Sequence, residues 1–207
     1  MRSPRHRTFN IALALLVPLV LTTWSPLAGQ ESTTRGLNLG FHLQGASLSI
    51  EGDDTADEGS GAGIRVGYGI NRIVTLFADL DGAAITVEDA ENLEGDWRIG
   101  HVDLGARFHF ANSLRWWVPF LEAAFGFRTV EVEDVGPNQE ETVTFSGGSF
   151  SVGGGMDFYF TESLALDLGL RFTGGEFNEI EIGSISVGDL DIDASSGRFN
   201  LGIIWWP

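Results

Sequence analysis

Apolar and polar residues alternate with a period of two in eight separate segments of the chain. Successive side chains of a strand point to opposite faces, so this period predicts β-strands. In the fifth segment, Leu121 and Phe125 share one face and Glu122 and Arg128 share the other. The eight segments are residues 37–44, 63–70, 74–81, 101–110, 119–128, 149–160, 164–173 and 198–205. Their lengths approach the roughly 9–11 residues with which a tilted strand crosses a bilayer.

The polar faces indicate a closed interior rather than a surface exposed to water. They are rich in Gly and Ser, and they carry five Arg against six carboxylates. This near balance suits a narrow desolvated lumen, because an unpaired buried charge is costly. The apolar faces would then contact lipid, as in membrane barrels. The predicted polar lumen network consists of Arg65, Asp79, Asp81, His101, Asp103, Arg107, His109, Glu122, Arg128, Asp157, Asp167, Arg171 and Arg198.

The connections between the segments alternate between short and long. Residues 71–72, 111–116 and 161–163 form short turns, which carry Arg72 and Arg115. Four long loops hold 21 of the 29 acidic residues, and they cover residues 51–60, 88–96, 131–143 and 176–193. Short turns at one rim and long loops at the other are typical of outer-membrane barrels. The fold prediction is therefore all-β: an eight-stranded antiparallel up-and-down transmembrane β-barrel, with short turns in the periplasm and acidic loops outside.

Aromatic residues cluster near the short-turn rim, where an interfacial girdle is expected. The predicted girdle contains Tyr68, Phe108, Phe110, Trp116, Trp117, Phe158, Phe160, Trp205 and Trp206.

The first residues predict export. Arg2, Arg5 and Arg7 precede an apolar run over residues 11–21, and small residues follow at 25–29. This pattern is typical of a secretory signal peptide and is too short for a membrane anchor. We therefore expect residues 1–29 to be cleaved and residues 30–207 to form one barrel domain in the bacterial outer membrane. The mature part has a formal charge of −20, which excludes a nucleic-acid-binding role.

The pattern resembles the small outer-membrane barrels of the OmpX and OmpA N-terminal-domain type. The last segment places Phe199, Leu201, Ile203 and Trp205 on one face, similar to the terminal assembly signal of such barrels, although Trp206 and Pro207 follow. The resemblance implies a Gram-negative outer membrane, with lipid and lipopolysaccharide as surroundings and insertion by the barrel-assembly machinery. It predicts no cofactor.

One group of inward residues has catalytic side-chain types. His101 and Asp103 share a face with Arg107 and His109, which would allow a metal site or an acid–base pair. A lumen network that neutralises itself explains the same residues, and we favour it. Ser47 lies beyond His42, but the alternation is interrupted around residues 45–47, so no nucleophile and base are aligned and no catalytic residue is assigned.

The acidic loops are candidate cation sites, because carboxylates bind hard cations such as Ca²⁺. We favour a solvated rim of mutually repelling charges as their explanation, and diffuse divalent bridging to lipopolysaccharide is an intermediate interpretation. Residues 177–187 continue to alternate, which suggests a hairpin projecting above the bilayer with an edge for a partner strand. The candidate cation-binding residues are Asp53, Asp54, Asp57, Glu58, Asp189, Asp191 and Asp193.

The sequence thus predicts a non-enzymatic barrel with a structural role, or a surface-interaction role through its acidic loops and a protein partner. Two alternatives stay open. The first is a narrow, porin-like, cation-conducting pore. The second is a barrel enzyme that modifies lipid A.

Overall fold

The structure, a computed structural model, describes residues 34–50, 57–86, 96–110, 116–135, 141–183 and 185–207. These residues form a closed barrel in which each strand pairs antiparallel with its chain neighbours and β8 closes on β1. The predicted eight-stranded up-and-down barrel is confirmed. No helix in the described ranges is long and apolar enough to cross a membrane. The strands are β1 (Gly36–Ile50), β2 (Asp57–Gly69), β3 (Val74–Thr86), β4 (Asp96–His109), β5 (Trp117–Val135), β6 (Glu141–Tyr159), β7 (Leu164–Ile182) and β8 (Ile185–Trp205).

Over the middle of the wall, apolar side chains face outward and polar ones face inward. Phe125 is 72% exposed, whereas its neighbour Glu122 is 7% exposed and Arg171 only 1%. A soluble sheet would show the opposite arrangement, so this part of the surface is suited to hydrocarbon.

Tight turns join the strands at the end of the barrel that we call the short-turn end. The Asn71 side chain accepts hydrogen bonds from the backbone N–H groups of Ile73 (2.7 Å) and Val74 (2.9 Å), which closes the β2–β3 turn as an Asx turn. Between β6 and β7, the Thr161 hydroxyl accepts from the N–H of Ser163 at 3.2 Å. Both connections are short, as the sequence predicts, although they include residues 70–73 and 160–163 rather than 71–72 and 161–163.

At the opposite end, which we call the hairpin end, the strands extend beyond their predicted limits. The loop predicted over residues 176–193 is wrong, whereas the hairpin that the alternation over residues 177–187 suggests is present, because β7 and β8 continue to Ile182 and Ile185. Gly183 turns the hairpin with a φ of 59°, a left-handed conformation that glycine adopts without strain. Part of the loop predicted over 131–143 also belongs to β5 and β6.

The alternation reverses its polarity near the hairpin end. Ala46 and Leu48 of β1 are buried, whereas Ser47 and Ser49 are half-exposed. The predicted interruption at residues 45–47 is therefore wrong: the period of two continues, but the apolar residues now point inward. They form an upper apolar layer of Ala46, Leu48, Ala83, Ile85, Ile99, Val130, Phe177 and Ala194.

A second, lower apolar layer fills the lumen at the short-turn end. Trp206 is 3% exposed, and its ring lies 5.6 Å from that of Tyr159. Its predicted place in the outer girdle is therefore wrong, because residues 204 and 206 face inward and only Trp205 faces outward. The lower layer consists of Val118, Tyr159, Ala165, Ile204 and Trp206.

Candidate functional site in the barrel lumen

The space between the two apolar layers contains the charged residues of the lumen. All thirteen members of the predicted network are at most 7% exposed. They lie on every strand except β1, and they point inward because the strand period places them on the polar face.

Glu122 of β5 is the hub of this network. One carboxylate oxygen accepts hydrogen bonds from Arg65 (3.2 Å) and Arg107 (2.9 Å). The other oxygen accepts from Arg171 at 2.9 and 2.6 Å. One buried carboxylate therefore holds three guanidinium groups from β2, β4 and β7.

Two further acidic residues bind these guanidinium groups, and one of them also connects Arg198 to the network. Asp79 accepts from Arg65 at 2.5 Å and from Arg171 at 3.0 Å. Asp103 accepts from Arg171 at 3.0 Å and from Arg198 at 2.9 Å. Such charge-assisted hydrogen bonds are the strong ones in a dry interior.

Arg107 connects the network to the short-turn end. Its Nη1 donates to Asp157 at 3.4 Å and also to Asp167. The guanidinium carbon lies 3.6 Å from the centroid of the Phe120 ring. Phe77 similarly lies 4.4 Å from the guanidinium carbon of Arg65. Charged groups and aromatic rings therefore fill the lumen together.

The acid–base pair that the sequence allows for His101 and Asp103 is not what His101 forms. His101 Nδ1 lies 3.2 Å from Asp81 Oδ1, and Nε2 lies 3.3 Å from the Ser196 hydroxyl. His109 instead contacts Thr75 at 3.2 Å. Both nitrogens of His101 have partners, which leaves neither as an obvious base for a substrate.

Sequence reasoning gave no role to His42, which faces the lumen from β1. Its imidazole, Asp79 and Asp81 each offer a ligand atom, and these atoms lie within 4.8 Å of one another. The strand alternation, which places residue 42 on the inward face of β1, was the only indication in the sequence that His42 lies in the lumen. The strand that carries both aspartates, β3, could not be related to His42 without the register.

Arg128 is set apart from the carboxylates. Its Nη2 donates to the backbone carbonyls of Gly175 (3.2 Å) and Ala194 (3.0 Å), and its guanidinium carbon lies 4.7 Å from the Phe177 ring centroid. It therefore belongs to the underside of the upper apolar layer.

The predicted acidic cation-binding residues are not brought together where the structure describes them. Asp57 and Glu58 lie on β2, whereas Asp193 lies on β8, and β1 separates the two strands. Asp189 and Asp191 lie in β8 by their backbone, and Asp53 and Asp54 fall outside the described residues, as does the predicted signal peptide.

Comparison with known proteins identifies the family. Residues 13–202 match the model of the "Outer membrane protein beta-barrel domain". The chain belongs to this family. Its resemblance to small outer-membrane barrels is thereby confirmed, and the protein is one of the outer membrane. No curated protein sequence matches it.

Solved structures of the outer-membrane β-barrel type share the fold. Neisserial surface protein A superposes with a TM-score of 0.62 at 15% identity, over 82% of this chain and 96% of that one. Ail, the attachment invasion locus protein of Yersinia pestis, gives 0.53 at 13% identity, over 83% and 99%. OprG of Pseudomonas aeruginosa gives 0.51 at 12% identity, over 85% and 97%. At these identities the likeness concerns the fold alone.

Proposed function

We propose that this outer-membrane barrel is a non-enzymatic surface-interaction protein that binds an extended, positively charged segment of another protein along the free edge of β8. The observation that carries the proposal is the stretch of β8 above the end of β1, where no strand of the described residues pairs with one of its edges. The hairpin end, which holds this edge, is the side expected to face the cell exterior.

The wall of the barrel is higher on one side. Strands β5 to β8 contain 19, 19, 19 and 21 residues, whereas β1 to β4 contain 15, 13, 13 and 14. At about 3.3 Å per residue, the difference amounts to roughly 20 Å of additional strand. The tall side therefore forms a sheet that projects from the barrel.

One edge of this projecting sheet has no pairing strand among the residues that the structure describes. The pairing of β8 with β1 ends at Ala194 opposite Ile50, while β8 continues to pair with β7 as far as Ile185. Within the described ranges, no strand pairs with the second edge of β8 over residues 185–193. The backbone groups of such an edge form a template for a partner strand.

The projecting sheet has charge of one sign. Residues 172–197 contain no Arg or Lys, and they contain six acidic residues. Glu176, Glu179, Glu181 and Asp193 are exposed. The free edge itself has the sequence Asp189-Leu190-Asp191-Ile192-Asp193. A partner with Lys or Arg at alternate positions matches this spacing, because residues two apart lie on one side of a strand.

The lumen supports neither the pore nor the enzyme alternative. The charged network lies between two apolar layers, and a cavity beside Trp206 and His109 measures about 10 Å³, room for about one water molecule. Ser47 and His42 differ by an odd number of positions and so face opposite sides of β1, which prevents them from acting as nucleophile and base. We expect no steady conductance in planar bilayers and no change of lipid A in cells that express the protein.

Export and insertion form part of the proposal. We expect cleavage close to residue 29, which N-terminal sequencing of the mature protein from outer membranes would establish. We also expect insertion to depend on the barrel-assembly machinery, given the outward row of Phe199, Leu201 and Ile203 on β8.

The decisive experiment measures binding of a labelled peptide with alternating Lys and Val to the purified barrel in detergent. A second peptide has the same sequence with N-methyl groups on alternate residues, which removes strand hydrogen bonds but not charge. We expect the methylated peptide to bind at least tenfold more weakly. Equal binding of the two peptides would refute recognition by the β8 edge.

A matched pair of variants tests the acidic edge. The triple change Asp189→Asn, Asp191→Asn and Asp193→Asn should weaken peptide binding about tenfold, the effect of about 1.4 kcal/mol. The control changes Glu88, Glu91 and Glu94 to Gln, which removes equal charge from the segment that the sequence predicts as the loop over residues 88–96. Equal losses from both triples would show that only net charge matters and would contradict the proposal.

A further inference from the structure

The group formed by His42, Asp79 and Asp81 lies in the lumen, against the inner face of β1, β2 and β3. In the register, His42 stands opposite Gly63, and Gly63 stands opposite Asp81. A Cβ at position 63 would overlap His42 Nε2 and approach the Cβ of Asp81 to 2.6 Å. The missing side chain of Gly63 therefore allows the imidazole and the carboxylate to meet across β2.

Two ligand atoms of this group have no hydrogen-bond partner in the described part of the protein. His42 is 6% exposed and its Nε2 is unsatisfied, and Asp79 is 2% exposed with an unsatisfied Oδ1. The side-chain oxygen of Gln44 is also buried and unsatisfied, while its amide nitrogen donates to Asp81 at 3.2 Å. Buried polar atoms without partners are rare and call for a water or an ion.

The charges around the group are compatible with a cation. Six lumen carboxylates face the four guanidinium groups that contact them, because Arg128 contacts carbonyls instead. The excess of negative charge is therefore two, or one if Arg128 is counted. Arg65 and Arg171 contact Oδ2 of Asp79, and Arg198 contacts Oδ2 of Asp81. Asp79 Oδ1 has no partner in the described part of the protein, whereas Asp81 Oδ1 lies 3.2 Å from His101 Nδ1 and 3.2 Å from the Gln44 amide nitrogen. A bound ion would use Asp79 Oδ1 directly and would replace the Gln44 contact at Asp81 Oδ1.

We propose that His42, Asp79 and Asp81 bind one divalent transition-metal ion of the Zn²⁺ class, with Gln44 or a water molecule as a fourth ligand. One imidazole nitrogen and carboxylate oxygens suit zinc, which is four-coordinate in structural sites. Ligand atoms of tetrahedral zinc lie about 3.4 Å apart, so the three side chains close by roughly 1 Å on binding. The ion joins β1 to β3 across the thin glycine strand β2. It acts as a structural crosslink of the barrel wall.

The test compares metal content after folding. The mature barrel is refolded in detergent with equimolar Zn²⁺, passed over a chelating resin, and measured by elemental mass spectrometry. We expect about one Zn²⁺ per chain, and refolding with Co²⁺ should give the visible absorption of a tetrahedral site. A wild-type barrel that retains no metal would overturn the proposal.

Three variants locate the ion. His42→Gln should weaken retention by at least the roughly 10–100-fold that even outer-shell partners contribute. His109→Gln changes a second lumen histidine outside the group and should retain the metal. The triple Asn variant of the β8 edge should also retain it. Retention by His42→Gln, or loss in either control, would refute the assignment.

Folding is checked separately by the change of gel mobility on boiling. If His42→Gln does not fold, Asp79→Asn is used in its place, because the amide keeps the shape of the side chain. Zn²⁺ added after folding should bind far more slowly than Zn²⁺ added before, because apolar layers close the lumen on both sides. Immediate binding to the folded barrel would place the ion on the surface and contradict the proposal.

Discussion

The two halves of the barrel wall use the same strand alternation for opposite purposes. In the membrane half, Phe125 and Leu104 face outward and Glu122 faces inward. In the hairpin half, Ile99 and Leu48 face inward, and polar residues such as Thr86 face outward. In both halves most apolar side chains lie away from water, although Ile182, Ile185 and Val187 at the tip of the β7–β8 hairpin are exposed. The outer face of the membrane half contacts lipid, whereas the outer face of the hairpin half contacts water.

This difference shows that a period of two predicts a strand, but it does not predict which face of the strand is buried. The solvent outside decides which face is apolar. The polarity reversal therefore places the upper boundary of the bilayer within the strands themselves, below the level of the upper apolar layer. The same strands then carry the fold into the aqueous exterior as a small soluble-type sheet.

The largest loss of stability should come from removing Glu122, the hub of the lumen network in the membrane half. Glu122→Ala leaves three buried guanidinium groups short of a partner, and we expect a loss of about 3–5 kcal/mol in the free energy of unfolding. Urea unfolding in lipid vesicles measures it. Glu162→Ala, at the exposed β6–β7 turn, is the control and should change stability by less than about 0.5 kcal/mol. A similar small change for Glu122→Ala would mean that the network does not support the barrel.

A cavity in the hairpin half should cause the second-largest loss in the free energy of unfolding. Ile99→Ala removes a side chain that is 2% exposed, and we expect a loss of about 3 kcal/mol from transfer and cavity contributions. Leu104→Ala on the same strand faces outward at 65% exposure, where acyl chains can fill the space, so its cost should be under half as large. Equal costs at the two positions would contradict the reversal.

Charges placed on the outer surface should distinguish the halves directly. Phe125→Arg puts a cation into hydrocarbon and should cost about 2–4 kcal/mol. Thr86→Arg lies outside the bilayer in this account and should cost less than about 0.5 kcal/mol. Vesicle unfolding curves give both values. A comparable loss at position 86 would place that residue in lipid.

The turn of the projecting hairpin should have the smallest effect. Gly183→Ala forces a side chain into a left-handed conformation, and we expect a loss of about 1 kcal/mol. Hydrogen exchange should show the loss as faster opening of residues 176–193 alone. Faster exchange throughout the barrel would mean that the hairpin is not a separate unit.

The sequence was sufficient for the fold but not for the ends of the strands. All eight strands follow from the alternation, and the short turns follow from Asn71 and its neighbours. The alternation over residues 177–187 indicated the β7–β8 hairpin, but the extension of the other strands was missed because apolar residues were expected on the outside throughout. Ala46 and Leu48 continue the same period with the opposite polarity, so a continuing strand resembled an interrupted one. Trp206 was assigned to the outer girdle because it is aromatic, although the alternation with the outward Trp205 places it on the inward face.

The lumen was predictable as a set of residues but not as a set of contacts. Parity indicates which side chains point inward, whereas their partners depend on the register between strands. His101 meets Asp81, which stands directly opposite on β3, rather than Asp103 on its own strand. Opposite residues lie about 4.5–5.5 Å apart, and residues two apart on one strand about 6.6 Å. The position of His42 beside Asp79 and Asp81 required the same information.

The most direct test of the polarity reversal uses the absence of cysteine from the chain. Single cysteines at Leu104, Phe125, Arg98 and Thr86 can carry nitroxide labels, whose collisions with oxygen and with a water-soluble nickel complex are measured in lipid bilayers. The account predicts high oxygen and low nickel accessibility at positions 104 and 125, and the reverse at 98 and 86. If all four positions report the same environment, the bilayer boundary does not lie where the strands reverse, and the account is wrong.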